Sequence, residues 1–184
     1  VRAGHRWEDA ERAALDRFLA AAAAPGVAPV RELAMPMTDV YGRHWSVDGG
    51  GVPGATAPDE DVYLPGRNLL LTVKSAVWCR LRGVDALAMG SLGSNPFPDG
   101  SGGFFRDLEA VLAQALDGAP RLLRPFAALH KPDVIRLGAG LPLHLTLSCL
   151  QPVSGRHCGR CNKCEERRRG FRDAGVPDRT SYAS

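Results

Sequence analysis

Apolar residues recur along the chain with changing period, and the changes mark the predicted elements. Trp7, Ala10, Ala14 and Phe18 are spaced three, four and four apart, one stripe of a helix over residues 7–23. Pro25-Gly26 closes it. Residues 30–35 predict a short strand. Residues 39–58, with the run Asp48-Gly49-Gly50-Gly51, show no period; unstructured loops of this length commonly serve as lids or binding segments. Leu70, Val73, Val77 and Leu81 repeat the helical spacing, with Asn68 as N-cap and Gly83 as stop. Residues 85–89 are nearly all apolar, as in a buried parallel strand. A glycine- and proline-rich loop, 90–103, carries Asn95 and Asp99. Phe104, Leu108, Val111 and Ala115 predict a helix ended by Asp117-Gly118, and residues 121–124 a strand. Lys131-Pro132-Asp133 opens a short helix ending near Gly138, and a last helix runs from Cys164 to Ala174, stopped by Gly175.

Strands alternating with helices predict an α/β fold, a Rossmann-like parallel sheet flanked by helices. Three strands are fewer than such a sheet usually carries. The expectation is therefore an amino-terminal strand and loop that this sequence lacks. The 184 residues, 45% hydrophobic and 23% charged, match a globular domain. The longest apolar run, residues 18–24, is mostly alanine and far short of the ~18–20 residues that span a bilayer. No secretory signal opens the chain, so the reading is cytoplasmic, without a membrane partner.

The five cysteines change the picture. Cys149, Cys158, Cys161 and Cys164 fall within sixteen residues, while Cys79 sits in a helical pattern as a small core residue. An odd count without a signal argues against a disulfide framework. Two overlapping C-x2-C pairs suit one tetrahedral ion, and four thiolates close its shell, so the expectation is one structural Zn2+ per chain. His144 and His157 are left as surface or supporting residues. The expected division is an α/β domain over 1–145 and a zinc-binding segment over 146–184. Net charge is only +3, but residues 156–172 hold seven basic and two acidic residues. A zinc-ribbon module that binds nucleic acid is thus the alternative reading, and a solvated helix face the preferred one.

No G-x4-G-K-[ST] occurs, and Gly49 to Gly54, though it fits G-x-G-x-x-G, has no predicted helix after it and is read as a flexible turn. Ser101-Gly102-Gly103 opens a helix and is read as its N-cap rather than as a phosphate loop.

Several segments in order carry a resemblance: Tyr63-Leu64-Pro65-Gly66-Arg67-Asn68, Phe97-Pro98-Asp99, Leu129-His130-Lys131, Thr146-Leu147-Ser148-Cys149, and Gly155 through Cys164. The sequence resembles the 7-cyano-7-deazaguanine synthase (QueC, formerly ExsB) family of ATP pyrophosphatases. The resemblance implies an ATP-dependent C–N ligase. Such an enzyme adenylates 7-carboxy-7-deazaguanine, aminates it with ammonia, and dehydrates the amide to the nitrile with further ATP (as its Mg2+ complex). It further implies a structural zinc, a Ser-Gly-Gly-x-Asp-Ser loop that would precede Val1, and a fragment inactive alone. It leaves room for a homodimer. By motif position, Arg67 and Asn68 would lie near nucleotide or substrate. Asp99 and Asn95 lie in the loop at the ligand-binding edge of such sheets, and Lys131 could offset phosphate charge. Phe97, Gly100 and Leu147 depart from the residues usual in the family, so a paralogue adenylating another substrate stays open.

Overall fold

The computed structural model describes residues 1–23 and 25–184. Ala24, the end of the longest apolar run, lies outside the described residues. Two compact units are present, Tyr63–Lys131 with Val1, and Arg2–Val62 with Pro132–Ser184. The division expected after residue 145 lies within the second.

In the Tyr63–Lys131 unit, α3 (Arg67–Arg82) leads into β1 (Ala86–Ala88), then α4 (Gly102–Leu116) and β2 (Arg121–Leu123). The two strands pair in parallel, with Leu87 opposite Leu122. A parallel pair requires a crossover, which α4 supplies. Ala76 of α3 packs with Leu108 and Leu112 of α4 in a buried cluster, and Val73, Leu87, Phe104 and Leu122 close around it. The buried faces are turned from the stripes that the spacing marked: α3 buries Thr72, Ala76 and Cys79 while Val77 and Leu81 are exposed, and α4 buries Phe105, Leu108 and Leu112 while Val111 is exposed. β1 is only half-buried, unlike the fully buried strand expected.

Caps explain two boundaries. Ser101 accepts from the Phe104 amide and N-caps α4, as expected. Gly83 ends α3 at φ 65°, a left-handed conformation that glycine adopts at least cost. The N-cap of α3, however, is Gly66, not Asn68. Asn68 lies inside the first turn, because Gly66 takes the left-handed turn that starts the helix.

In the second unit, α1 (Glu8–Ala22) follows the predicted stripe. Its buried Glu8 accepts from the amides of Ala3 (2.7 Å) and Gly4 (3.2 Å), and so fixes the chain entering the helix. The strand expected over 30–35 does not form. Ala34 makes a single parallel bridge to Arg2, and the facing segment leaves the extended region at Gly4, φ 91°. The aperiodic stretch holds one turn of helix, α2 (Thr38–Tyr41), where Tyr41 and His44 join Trp45, Trp7 and His5 in a chain of ring contacts. α5 (Lys131–Leu137) and α6 (Asn162–Ala174) complete the helices among the described residues. Among the described residues no helix is long and apolar enough to cross a membrane.

Candidate functional site

Local chain geometry assembles the four cysteines. After Cys149, residues 153–156 form a tight hairpin, bridged between Val153 and Arg156. Its central Ser154 and Gly155 both have positive φ (48° and 75°), as a two-residue turn matched to strand twist demands. The return brings the Cys158 amide to within 3.2 Å of Cys149 Sγ, and the Gln151 amide lies 3.3 Å from the same sulfur. Cys161 is the N-cap of α6 and Cys164 lies in its first turn. All four side chains are buried, and their sulfurs lie within 4.8 Å of one another. Three pairs stand at 3.5, 3.9 and 4.0 Å. A tetrahedral ion with ~2.3 Å metal–sulfur bonds needs sulfurs roughly 3.8 Å apart. The cluster can therefore hold a metal ion. Its thiols are coupled: hydrogen bonding with Cys161 pushes Cys149 up, and the same contact holds Cys161 down.

A buried polar shell supports this knuckle. His157 is buried; Nε2 accepts from the Ser148 amide at 3.1 Å and the ring meets the edge of Tyr182. Burial, then the Arg167 charge, lowers its pKa to about 4, so the imidazole is neutral at neutral pH. Arg167 is 5% exposed. It donates to Thr180 Oγ1 (2.8 Å), Thr146 Oγ1 (3.0 Å) and the Leu143 carbonyl (2.7 Å), and lies over the Phe171 ring. Asp178 accepts from Tyr182 Oη (2.6 Å) and the Thr180 amide (2.9 Å). Burial opposes its charge, yet these hydrogen bonds hold its carboxyl below the ordinary value. Asn162 donates to the Ala57 carbonyl at 2.7 Å, and its amide to Pro53 at 2.9 Å. The far end of the loop read as a lid is thus tied to α6. Of these, only His157 had been read from the sequence, as a surface or supporting residue; the roles of Arg167, Asp178 and Asn162 had not. For Arg167 the only signal was its place one helical turn after Cys164, which puts it on the same face.

The basic cluster is not one solvated face. Arg167 is buried, Lys163 pairs with Glu166 and Arg172 with Glu165, and Arg168 lies over Tyr182.

Of the five other candidate residues, the structure joins two, Asn68 and Asp99. The Asp99 carboxylate is buried and accepts from the Asn68 backbone amide at 2.9 Å, while Asn68 Nδ2 donates back to Asp99 O (3.1 Å) and Oδ1 (3.3 Å). The carboxylate therefore satisfies a free amide at the start of α3. Asn95 Oδ1 accepts from the Phe97 amide at 2.9 Å. A Cβ on Gly100 would sit 2.5 Å from the Asn95 amide carbon, so this loop closes tightly because residue 100 is glycine. Phe97 stacks on Tyr63, and Arg124 donates to Gly100 O. Arg67 precedes the clasp, with its Nε buried and lacking a hydrogen-bond partner. Lys131 is half-buried at the start of α5. A double-mutant cycle should detect the clasp. Asn68→Ala and Asp99→Ala are expected to couple by about 1–2 kcal/mol in denaturant unfolding. Additive effects would mean the contact contributes nothing.

A sequence model of queuosine biosynthesis protein QueC matches residues 15–175. The chain belongs to the QueC family. A 7-cyano-7-deazaguanine synthase from Anaeromyxobacter dehalogenans is 36% identical over 130 positions, covering 66% of this chain and 56% of the relative. Another of that name, from Methanopyrus kandleri, is 34% identical over 65% of this chain and 58% of its own length. One from Xanthomonas campestris pv. campestris is 30% identical over 97% of this chain and 84% of the relative. The chain thus spans about half the length of the first curated relatives it matches. The QueC match encloses the whole four-cysteine knuckle and the Asn68–Asp99 clasp.

Proposed function

We propose that this protein acts as an ATP-dependent ligase of deazapurine synthesis, converting 7-carboxy-7-deazaguanine and ammonia to 7-cyano-7-deazaguanine. The observation that carries this reading is the QueC match over residues 15–175. A carboxylate is a poor electrophile, and adenylation gives it a leaving group; the protein's part is positioning and charge stabilisation. In this reading ATP acts as its Mg2+ complex, and the metal of the knuckle is zinc with a structural role, since four sulfurs leave no open position. Arg67 supplies a donor to nucleotide or substrate, a role supported by its unpartnered Nε. Asn68, Asp99 and Asn95 keep the 90–103 loop in its ligand-facing shape, and Lys131 offsets phosphate charge. The division into an α/β nucleotide portion and a zinc segment, a cytoplasmic location, and small molecules rather than nucleic acid as partners belong to the same proposal.

The test is AMP release by the gene product with ATP, Mg2+, ammonium and 7-carboxy-7-deazaguanine. AMP formation is expected to need both the carboxylate and ammonium, with the nitrile appearing by mass spectrometry. AMP release indifferent to the deazaguanine, from a folded and metal-loaded protein, would overturn the substrate assignment.

A further inference from the structure

A cleft of about 340 Å3 opens beside the knuckle, within the unit formed by Arg2–Val62 and Pro132–Ser184. Three of its lining residues are Arg17, Arg156 and Arg179, and none is aspartate or glutamate. The three side chains are exposed and make no ion pair or hydrogen bond among the described residues. Other arginines of the same unit are matched: Arg2 and Arg12 with Glu32, Arg136 with Asp133, Arg172 with Glu165. Arg156 is held in place by the knuckle hairpin, its amide and carbonyl both bonded to Val153 at 3.0 Å. Leu145 and Leu147 supply an apolar wall, and Ser181 a hydroxyl.

Three unmatched guanidiniums around one concavity concentrate positive potential and attract an anion. We infer that this cleft binds a phosphate monoester carried on a small flat body, a ligand of nucleoside monophosphate size. A carboxylate is saturated by one bidentate guanidinium, whereas a phosphate monoester brings nearly two charges and three acceptor oxygens, enough for several. The volume lies at the small end of the roughly 300–1,000 Å3 range of ligand clefts. The apolar wall suits the face of a heteroaromatic ring. The site is independent of the ligase reading, because it uses neither the Asn68–Asp99 clasp nor Arg67.

Calorimetric titration of the metal-loaded chain with GMP tests the inference, with guanosine, inorganic phosphate and a single-stranded RNA oligonucleotide as further arms. GMP is expected to saturate one site, guanosine to bind far more weakly, and inorganic phosphate to compete. Arg156→Gln and Arg179→Gln should each weaken GMP by about tenfold, the size of one charged hydrogen bond. Arg156→Lys should recover part of the loss, and Arg82→Gln, an exposed control in the other unit, should change nothing. Unchanged thermal midpoints would show the variants folded, as expected for side chains without internal partners. Equal binding of guanosine and GMP, GMP binding indifferent to the Arg17/Arg156/Arg179 triple glutamine variant, or binding of RNA without binding of GMP would each overturn the inference.

Discussion

Cys164→Ser is expected to abolish stable folding of the segment from residue 146 to the end of α6, with chelation of the intact protein giving the same result. Cys164 is fully buried and its sulfur lies 3.5 Å from Cys161 and 3.9 Å from Cys158. Without an ion, four sulfurs crowd one buried space. With one, all four thiolates are satisfied. Structural zinc contributes on the order of 10 kcal/mol in small zinc peptides, as much as the whole stability of a typical domain. Hydrogen exchange reads the outcome. Protection should collapse across the Cys158–Cys164 turn and α6, and metal analysis of the parent protein should give one equivalent per chain. Exchange unchanged after complete metal removal would show that the sulfurs pack as ordinary apolar groups.

Arg167→Ala should be strongly damaging for a residue away from the cysteines, costing about 2–3 kcal/mol in lost charged hydrogen bonds and packing. The side chain has three good hydrogen bonds to Thr180, Thr146 and Leu143 and covers the Phe171 ring. Its removal takes a donor from the Thr180 hydroxyl, leaves Thr146 and Leu143 only their bonds to each other, and opens a cavity between α6 and residues 143–148. Arg167→Lys should recover little, because one ammonium cannot reproduce a planar fork aimed at three acceptors. The midpoint of urea unfolding measures both variants. A loss below about 1 kcal/mol for alanine would place this arginine with the solvated ones beside it.

The helices were legible because apolar spacing and end signals are local, although in α3 and α4 the face that packs is not the one the spacing marked. α1, α3, α4 and α6 begin and end within about two residues of the predicted positions. The four-cysteine cluster was equally legible, because its geometry is set within sixteen residues. What failed depended on distant partners. Residues 30–35 look like a strand, yet only Arg2 pairs with them, and no local pattern reveals how long a partner will run. Asn68 reads as an N-cap by residue type, but the glycine two positions earlier takes the turn. Its side chain is spent instead on Asp99, 31 residues away. Arg167 was hidden in a run of three arginines, and only the fold separates the buried one from its neighbours.

The link between Asn162 and Ala57 spans 105 positions of sequence, whereas the four sulfurs are neighbours along the chain. These two facts set an order of events during folding. Closing a loop of about a hundred residues costs roughly 1–2 kcal/mol more than closing one of sixteen, and such long-range contacts come later. Gathering sulfurs across a tight hairpin and one helical turn closes only the shorter loop. The metal can thus be captured by a short local piece, which then offers a finished edge at Cys161 for Gly54 to meet. On this account metal supply governs how fast the chain matures as well as how firmly it holds, and a cell short of the ion would accumulate chains whose 53–57 segment has nothing to dock against.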